Sequence, residues 1–259
     1  MKRTLLSTLI FLLIFLNLPA TAGYVIKSIQ TVDDTTIESL MYIDGNKVRI
    51  NDQEMDIIMD FDRDEMYMIM KDQNIYVHEK ISEIPQKMEE MKMLMVEEML
   101  KQVPEDQRDQ MREMYMNMID AEDEEYTDEL SIEHIGDEQD IAGYESIRYD
   151  IYENGMLVES VWIAEGLDLL DMNRIYELFK NFTGVATYED SQAYIDLMDK
   201  GMVMKSIDTE SGDTEEVVEI KKTSLENSLF KPDDSFEKLS FKEFSMMMME
   251  SPEEEDEDY

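Results

Sequence analysis

Two tight-turn dipeptides constrain the fold of this chain more than any other feature. Asp44-Gly45 and Asn154-Gly155 each lie between two segments in which apolar and polar side chains alternate. Gly accepts the positive φ angle that a two-residue hairpin turn needs, and alternation is typical of a strand with one buried face. The sequence therefore predicts an antiparallel sheet built largely from hairpins.

The hairpins group into two blocks that are separated by helical sequence. Counting outward from Asn154-Gly155 pairs Ile151 with Val158 and Ile147 with Trp162, which predicts an apolar face for the only Trp. The other strands are predicted at residues 38–43, 47–50, 55–61, 65–70, 75–79, 202–207, 217–223 and 236–241.

Helical periodicity replaces strand periodicity after Ser82, which is a suitable N-cap, and Pro85 is tolerated in a first helical turn. One stripe then carries apolar side chains at spacings of three and four residues: Ile84, Met88, Met91, Met95 and Met99. Pro104 ends this helix, and a second one begins near Glu105. The sequence predicts a helical insert at about residues 83–121, which covers the sheet as a lid. Two more helices are predicted at residues 170–182 and 190–200.

The N-terminus has the pattern of a secretory signal peptide. Lys2 and Arg3 precede a mostly apolar run at residues 5–18, and Ala20-Thr21-Ala22 is a small-residue cleavage site. We expect residues 1–22 to be removed after Ala22, and the mature chain to lie in a bacterial periplasm or outside the cell. No later run is long and apolar enough for a transmembrane helix.

The charge excludes one class of function. The chain has 63 acidic and 23 basic residues, and its formal charge is −40. A nucleic-acid binder needs clustered Lys and Arg to neutralise phosphates, and this chain has none. The sequence predicts one domain at residues 23–244 and a disordered acidic tail at residues 245–259.

Residues that carry catalysis are scarce. The chain has no Cys and two His, His78 and His134, and it has no G-x-S-x-G nucleophile motif. The segment that begins at Asp60 resembles a calcium loop, but Glu65 replaces the required Gly and Lys71 replaces the chelating Glu. We therefore predict neither an enzyme nor a bound cofactor.

Methionine is abundant, with 25 residues. Met side chains can fill a core, and their flexibility also suits a cavity for variable acyl chains. A third interpretation is thioether coordination of Cu(I) or Ag(I), because Met66, Met68 and Met70 alternate along a strand and so share a face. The spacing leaves all three interpretations open.

Several segments together resemble a known family. They are the Ile-Asp-Gly-Asn-Lys-Val-Arg-Ile segment at residues 43–50, Gly-Tyr-Glu-Ser-Ile-Arg-Tyr at 143–149, Val-Trp-Ile-Ala at 161–164 and Phe-Lys-Pro-Asp-Asp-Ser-Phe at 230–236. The chain is similar to bacterial exported proteins classified as a domain of unknown function, with the half-barrel architecture of LolA-type lipoprotein carriers. The resemblance implies a curved antiparallel sheet whose concave face is covered by helices and can hold acyl chains. It carries over no catalytic residues.

The sequence thus predicts an α+β fold, a LolA-like half-barrel with a helical lid, in an exported and non-enzymatic protein. The predicted partner is a hydrophobic small molecule or lipid, such as an acyl chain or the lipid of a lipoprotein, held between the sheet and the Met-rich helices. The alternatives are a scaffold that meets a cationic envelope protein and a Cu(I) or Ag(I) binding protein. The predicted ligand-binding residues are Met66, Met68, Met70, Met88, Met91, Met95, Met99 and Trp162.

Overall fold

A computed structural model describes residues 22–33, 35–51, 55–101, 103–122, 129–170, 174–175, 178 and 187–250. Residues 1–21 of the predicted signal peptide lie outside this part of the chain. The strands are β1 (Gly23–Val32), β2 (Thr35–Asp44), β3 (Lys47–Asn51), β4 (Met55–Asp60), β5 (Glu65–Met70), β6 (Ile75–Glu79), β7 (Leu130–Ile141), β8 (Tyr144–Glu153), β9 (Met156–Glu165), β10 (Gly201–Asp208), β11 (Thr214–Thr223) and β12 (Glu237–Leu239).

These strands form one open sheet, ordered β12-β6-β5-β4-β3-β2-β1-β11-β10-β9-β8-β7. The pairing of β12 with β6 is parallel, and the other described pairings are antiparallel. The two predicted hairpins are confirmed, because β2–β3 and β8–β9 turn at residues with positive φ: Gly45, Asn154 and Gly155. The two hairpin blocks meet where β1 pairs with β11.

One register prediction is wrong. Ile151 pairs with Glu159, not with Val158, and Ile147 pairs with Ile163, not with Trp162. The Asn-Gly turn is as expected, but an irregularity between Ile151 and Tyr152 shifts the pairing by one residue. Such a bulge places an extra residue in one strand, bends that strand and increases its twist.

Four α-helices can be delimited within the described residues: α1 (Ile84–Lys101), α2 (Arg108–Glu122), α3 (Gln192–Met198) and α4 (Phe241–Glu250). The pair α1 and α2 confirms the helical insert, and α3 confirms the later of the two other predicted helices. In the predicted helix at residues 170–182, Arg174, Ile175 and Leu178 are helical, and most of the rest lies outside the described residues.

The predicted boundary of the disordered tail is wrong. Residues 245–250 continue α4, and Ser245 is 1% exposed, with its hydroxyl donating a hydrogen bond to the Phe241 carbonyl at 2.8 Å. The helix forms because Phe241 and Phe244 are one turn apart and both enter the core. Residues 251–259 lie outside the described part of the chain.

The helices cover both faces of the sheet. Val48, Met59 and Met66 are cross-strand partners on one face, and they share a buried cluster with residues of α1 and α4. Val161 and Ile163 point to the opposite face from Trp162 because side chains alternate along a strand, and they pack with α3. The resemblance implied that helices cover the concave face, and the structure places helices on both faces of the sheet.

Candidate ligand-binding site

The largest predicted set of ligand-binding residues meets where α1 and α4 pack on β3–β6. We call this region the methionine interface. Its buried residues are Val48, Met59, Phe61, Met66, Met68, Val77, Ile84, Met88, Ile175, Leu178, Phe241 and Phe244, and its partly buried residues include Met41, Met70, Met91 and Met247. Five predicted residues, Met66, Met68, Met70, Met88 and Met91, thus belong to one apolar cluster.

The strand register explains why the sheet contributes so many thioethers. Met59 lies opposite Met66, and Met55 lies opposite Met70, across the β4–β5 pair. Directly opposed residues have Cβ atoms about 5 Å apart, so each pair can touch. Sequence analysis missed Met59, although its position two residues after Ile57 in an alternating strand places it on the same face as Met66 and Met68.

Helix α1 enters the interface through its first half. Ile84 and Met88 are buried there, and Met91 packs against them. The buried stripe then continues through Val96 and Leu100, which lie eight and twelve residues after Met88. A stripe that advances in steps of four drifts around a helix of 3.6 residues per turn.

This drift places the last two predicted helical residues away from the interface. Met95 is partly buried but is not part of the buried cluster, and Met99 is 37% exposed. The spacing correctly predicted a helix with an apolar face. In the second half of the helix, however, it selected Met95 and Met99, whereas Val96 and Leu100 are the buried residues.

Trp162 lies in a second cluster on the same side of the sheet. Its buried neighbours include Ile26, Ile43 and Met204, and Met41 and Leu170 pack against both clusters. The guanidinium of Arg148 and the ammonium of Lys205 lie 5.3 and 5.6 Å from its ring centroid. The structure therefore places Trp162 beside the methionine interface rather than within it.

The N-terminal end of α1 is anchored to a sheet hairpin. The Asp64 carboxylate accepts hydrogen bonds from the Ser82 backbone N–H at 2.9 Å and from its hydroxyl at 2.6 Å. These bonds favour the ionised form and lower the pKa of Asp64. Lys87 of the first turns lies 3.4 Å from Glu79 at the end of β6. The helix is thus held at its first turns, beside the sheet.

The opposite face of the sheet contains a buried acidic group that sequence analysis missed. Glu159 on β9 is 8% exposed, and the Tyr188 hydroxyl donates a hydrogen bond to its Oε2 at 3.3 Å. Burial, followed by repulsion from Glu189, raises the pKa of Glu159 to about 7. The sequence does contain a signal for this burial, because Glu159 alternates with the apolar residues Val161 and Ile163 along β9 and so shares their face.

The two His residues take part in aromatic contacts. His78 stacks on Tyr67 with ring centroids 4.3 Å apart, and His134 lies 5.1 Å from Tyr149. Within the described ranges, no group of three His, Cys, Asp or Glu side chains is arranged to hold a metal ion. Thioether coordination by Met66, Met68 and Met70 stays a prediction. Over the same ranges, no helix is long and apolar enough to cross a membrane.

Comparison with solved structures finds distant similarities. The chain resembles MucB in complex with the periplasmic part of MucA, with 7% identity and a TM-score of 0.35, over 84% of this chain and 57% of that one. It also resembles the Pseudomonas aeruginosa MucA/MucB complex, with 8% identity and a TM-score of 0.36, over 84% and 58%. The chain thus spans a little more than half the length of these two neighbours.

A third solved structure is a domain from Vibrio parahaemolyticus named for outer membrane lipoprotein sorting. Its identity is 7% and its TM-score is 0.25, over 82% of this chain and 91% of that one. No curated protein matches the chain. A family model does match: residues 53–235 fit the domain of unknown function DUF4412. Because the match covers more than half of the sequence, the chain belongs to the DUF4412 family.

Proposed function

We propose that this chain is an exported binding protein that holds a hydrophobic ligand, such as an acyl chain or the lipid of a lipoprotein, within the methionine interface. The observation that carries the proposal is the concentration of thioethers between the sheet and α1. Met59, Met66, Met68 and Met88 are buried there, and Met41, Met70 and Met91 are partly buried beside them. The proposal places the ligand between these side chains.

Methionine suits this task for a physical reason. The side chain is unbranched and has three rotatable bonds, so a Met-lined surface can rearrange around guests of different shape. Each methylene of an acyl chain that leaves water contributes about 0.8 kcal/mol. A chain of about ten carbons would therefore contribute about 8 kcal/mol toward the cost of association and of separating α1 from the sheet.

The attachment of α1 supports a lid that opens from one end. The hydrogen bonds from Ser82 to Asp64 hold its N-terminus. Met91 and Met95, two and three turns further on, are only partly buried. We propose that the helix moves away from β5 about this anchor and that the guest replaces Met–Met contacts with Met–ligand contacts.

Native mass spectrometry of the exported protein, combined with organic extraction, tests the proposal. We expect masses above that of the polypeptide and a lipid in the extract. The apo mass alone, together with an empty extract, would contradict the proposal.

A matched pair of variants tests the location of the ligand. Met88→Trp adds bulk on the sheet side of α1, whereas Met93→Trp adds the same bulk on the solvent side, where Met93 is 44% exposed. We expect Met88→Trp to weaken binding of a dansylated fatty acid at least tenfold, and Met93→Trp to leave it unchanged. Circular dichroism checks that both variants fold. Equal affinities in two folded variants would refute this location.

A further inference from the structure

The solvent side of α1 carries an open groove that the methionine interface does not use. Its volume is about 460 Å³, and it lies between α1 and the start of α4. The groove is lined by Gln86, Glu89, Glu90, Met93, Leu94, Glu97 and Lys242. All of these residues except Lys242 of α4 lie on the face of α1 that points away from the sheet, so we call this region the outer groove.

The outer groove has an apolar floor and an acidic rim. Met93 and Leu94 form the floor, and Glu89, Glu90 and Glu97 form the rim on α1. Lys242 of α4 is the one cation among the described residues of the lining, so three negative charges stand against one positive charge. Gln86 and Glu97 are eleven residues apart, which corresponds to about 16 Å along a helix, or three turns. A second helix of similar length could therefore lie along it and place apolar residues over Met93.

The rim carboxylates are already in weak, exchangeable interactions. Glu97 lies 3.1 Å from Arg112 of α2, and Glu89 lies 3.6 Å from Lys92. The carboxylates of Glu89 and Glu97 are exposed, so water screens their attraction to these cations and each ion pair is weak. A Lys or Arg from another molecule can replace or join these partners at little cost.

Charge selects among the possible occupants. The chain's own tail at residues 251–259 has six acidic residues and no basic one, and a second copy of the chain carries a charge of −40. Both would be repelled by three carboxylates, and so would an anionic lipid headgroup. A cationic segment is attracted by the rim and, in addition, by the charge of the whole chain.

We infer that the outer groove docks a cationic amphipathic helix of a partner protein. Apolar side chains of that helix cover Met93 and Leu94, and its Lys or Arg residues pair with Glu89, Glu90 and Glu97. Apolar burial supplies the affinity, and the acidic rim supplies the orientation and a high rate of association. This site is separate from the proposed lipid site, because the two lie on opposite sides of α1.

Fluorescence anisotropy with a labelled 14-residue peptide tests the inference. The probe is an amphipathic helix of Leu and Lys, and the reference peptide has Glu at every Lys position. The full exported chain is expected to bind the Lys peptide and not the Glu peptide. Affinity should fall as salt is raised from about 50 to 500 mM, because screening weakens the rim contacts.

Two variants and one control locate the contact. Met93→Ser removes the apolar floor and should weaken binding about tenfold, the loss expected for one buried side chain. Glu90→Gln combined with Glu97→Gln should weaken it by a similar factor and reduce the salt dependence. Met156→Ser is the control, because Met156 is 67% exposed at the distant β8–β9 turn. Its affinity should equal that of the unchanged protein.

Three outcomes would overturn the inference. One is equal affinity of the Lys peptide for the Met93→Ser and Met156→Ser variants, which would mean attraction by net charge alone. Another is dodecanoate displacing the peptide in a Met93-dependent way, which would assign the groove to a lipid. The third is a dimer in sedimentation that Met93→Ser dissociates, which would assign it to a second copy. None of these outcomes depends on whether lipid copurifies from the methionine interface.

Discussion

The two ends of the sheet are packed with different kinds of side chain. The methionine interface on β3–β6 buries four Met residues. On the opposite face, β8–β10 pack against α3 through an aromatic–aliphatic interface, whose buried residues are Tyr149, Ile151, Val161, Ile163, Tyr194 and Leu197. Branched and aromatic side chains have few rotamers and specify one packing, whereas thioethers adapt to several. The chain therefore combines one stiff interface with one adaptable interface.

The two ends of the sheet also differ in how their buried carboxylates are paired. On β4, Asp56 is fully buried but has three partners: it pairs with Arg49, lies 3.1 Å from Lys71 and accepts a hydrogen bond from Asn51 at 2.8 Å. On β9, Glu159 is buried with phenol hydroxyls as hydrogen-bond donors and with other carboxylates nearby. A buried carboxylate with no cation beside it favours its neutral form. Protonation of Glu159 therefore makes the stability of this end of the sheet depend on pH.

The sharpest test of the comparison creates one cavity at each end. Ile151→Ala and Met66→Ala each truncate a side chain that is at most 1% exposed. We expect Ile151→Ala to lower the free energy of unfolding by about 4 kcal/mol and Met66→Ala by about 2 kcal/mol, because the cost depends on how far the neighbours can collapse. Flexible thioethers close the space better than branched residues do. Urea denaturation of both variants measures the difference.

The contradicting result for this pair is specific. Equal losses of stability would mean that the methionine interface is as rigid as the aromatic–aliphatic one. The claim of an adaptable interface would then fail, and the proposed lipid site would lose its physical basis. An unchanged slope of the urea transition is needed in both variants for the comparison to be valid.

The sequence predicted local structure better than it predicted which elements meet. Asp44-Gly45 and Asn154-Gly155 gave correct hairpins because turn chemistry acts over a few residues. The bulge between Ile151 and Tyr152 has no such local signature. The turn was therefore predicted correctly, but the strand partner predicted for Trp162 was wrong. Side-chain packing over the whole sheet decides such shifts.

The same distinction holds for the candidate site. Strand alternation correctly grouped Met66, Met68 and Met70 on one face. The path of α1 over the sheet depends on helix packing, so Met99 was assigned to the interface although it is at the surface. The outer groove requires α4 to lie beside α1, and the predicted disorder from residue 245 concealed that helix.

The second prediction concerns pH. The pKa of Glu159 is about 7 in the folded chain, against an ordinary value of 4.5. The folded state therefore binds more protons between these pH values, so stability falls as pH rises from about 4.5 to about 7 and then stays level. Glu159→Gln should remove this slope and raise the free energy of unfolding at pH 8 by up to about 3 kcal/mol. Near pH 4 the two proteins should be similar.

Several groups face Glu159 and determine this result. The hydroxyls of Tyr188 and Tyr194 donate hydrogen bonds that lower its pKa, whereas Glu189 and Asp208 raise it. The control is Glu138→Gln on the exposed strand β7, which removes the same charge without a buried site. If Glu138→Gln flattens the pH profile as much as Glu159→Gln does, the slope belongs to the net charge and not to β9.

The smallest expected effect concerns the caps of the helices at the two ends. Ser191 is the N-cap of α3, and its Oγ accepts a hydrogen bond from the Tyr194 N–H at 3.2 Å. At α4, Ser240 makes the equivalent bond to the Glu243 N–H at 3.2 Å, and the Glu243 carboxylate in return accepts from the Ser240 N–H at 2.9 Å. The second arrangement is a reciprocal capping box.

Alanine at each cap position separates the two arrangements. Ser191→Ala removes the side-chain cap of α3 and should cost about 1 kcal/mol. Ser240→Ala leaves the bond from the Ser240 N–H to Glu243 in place, so α4 should lose less. Amide hydrogen exchange is the suitable measurement, because the loss is local: exchange should rise more in α3 after Ser191→Ala than in α4 after Ser240→Ala. Because α3 is only seven residues long, it depends on its cap and on Tyr194 and Leu197 beneath it. A greater rise in α4 would mean that tertiary contacts, not caps, hold α3 on the stiff end of the sheet.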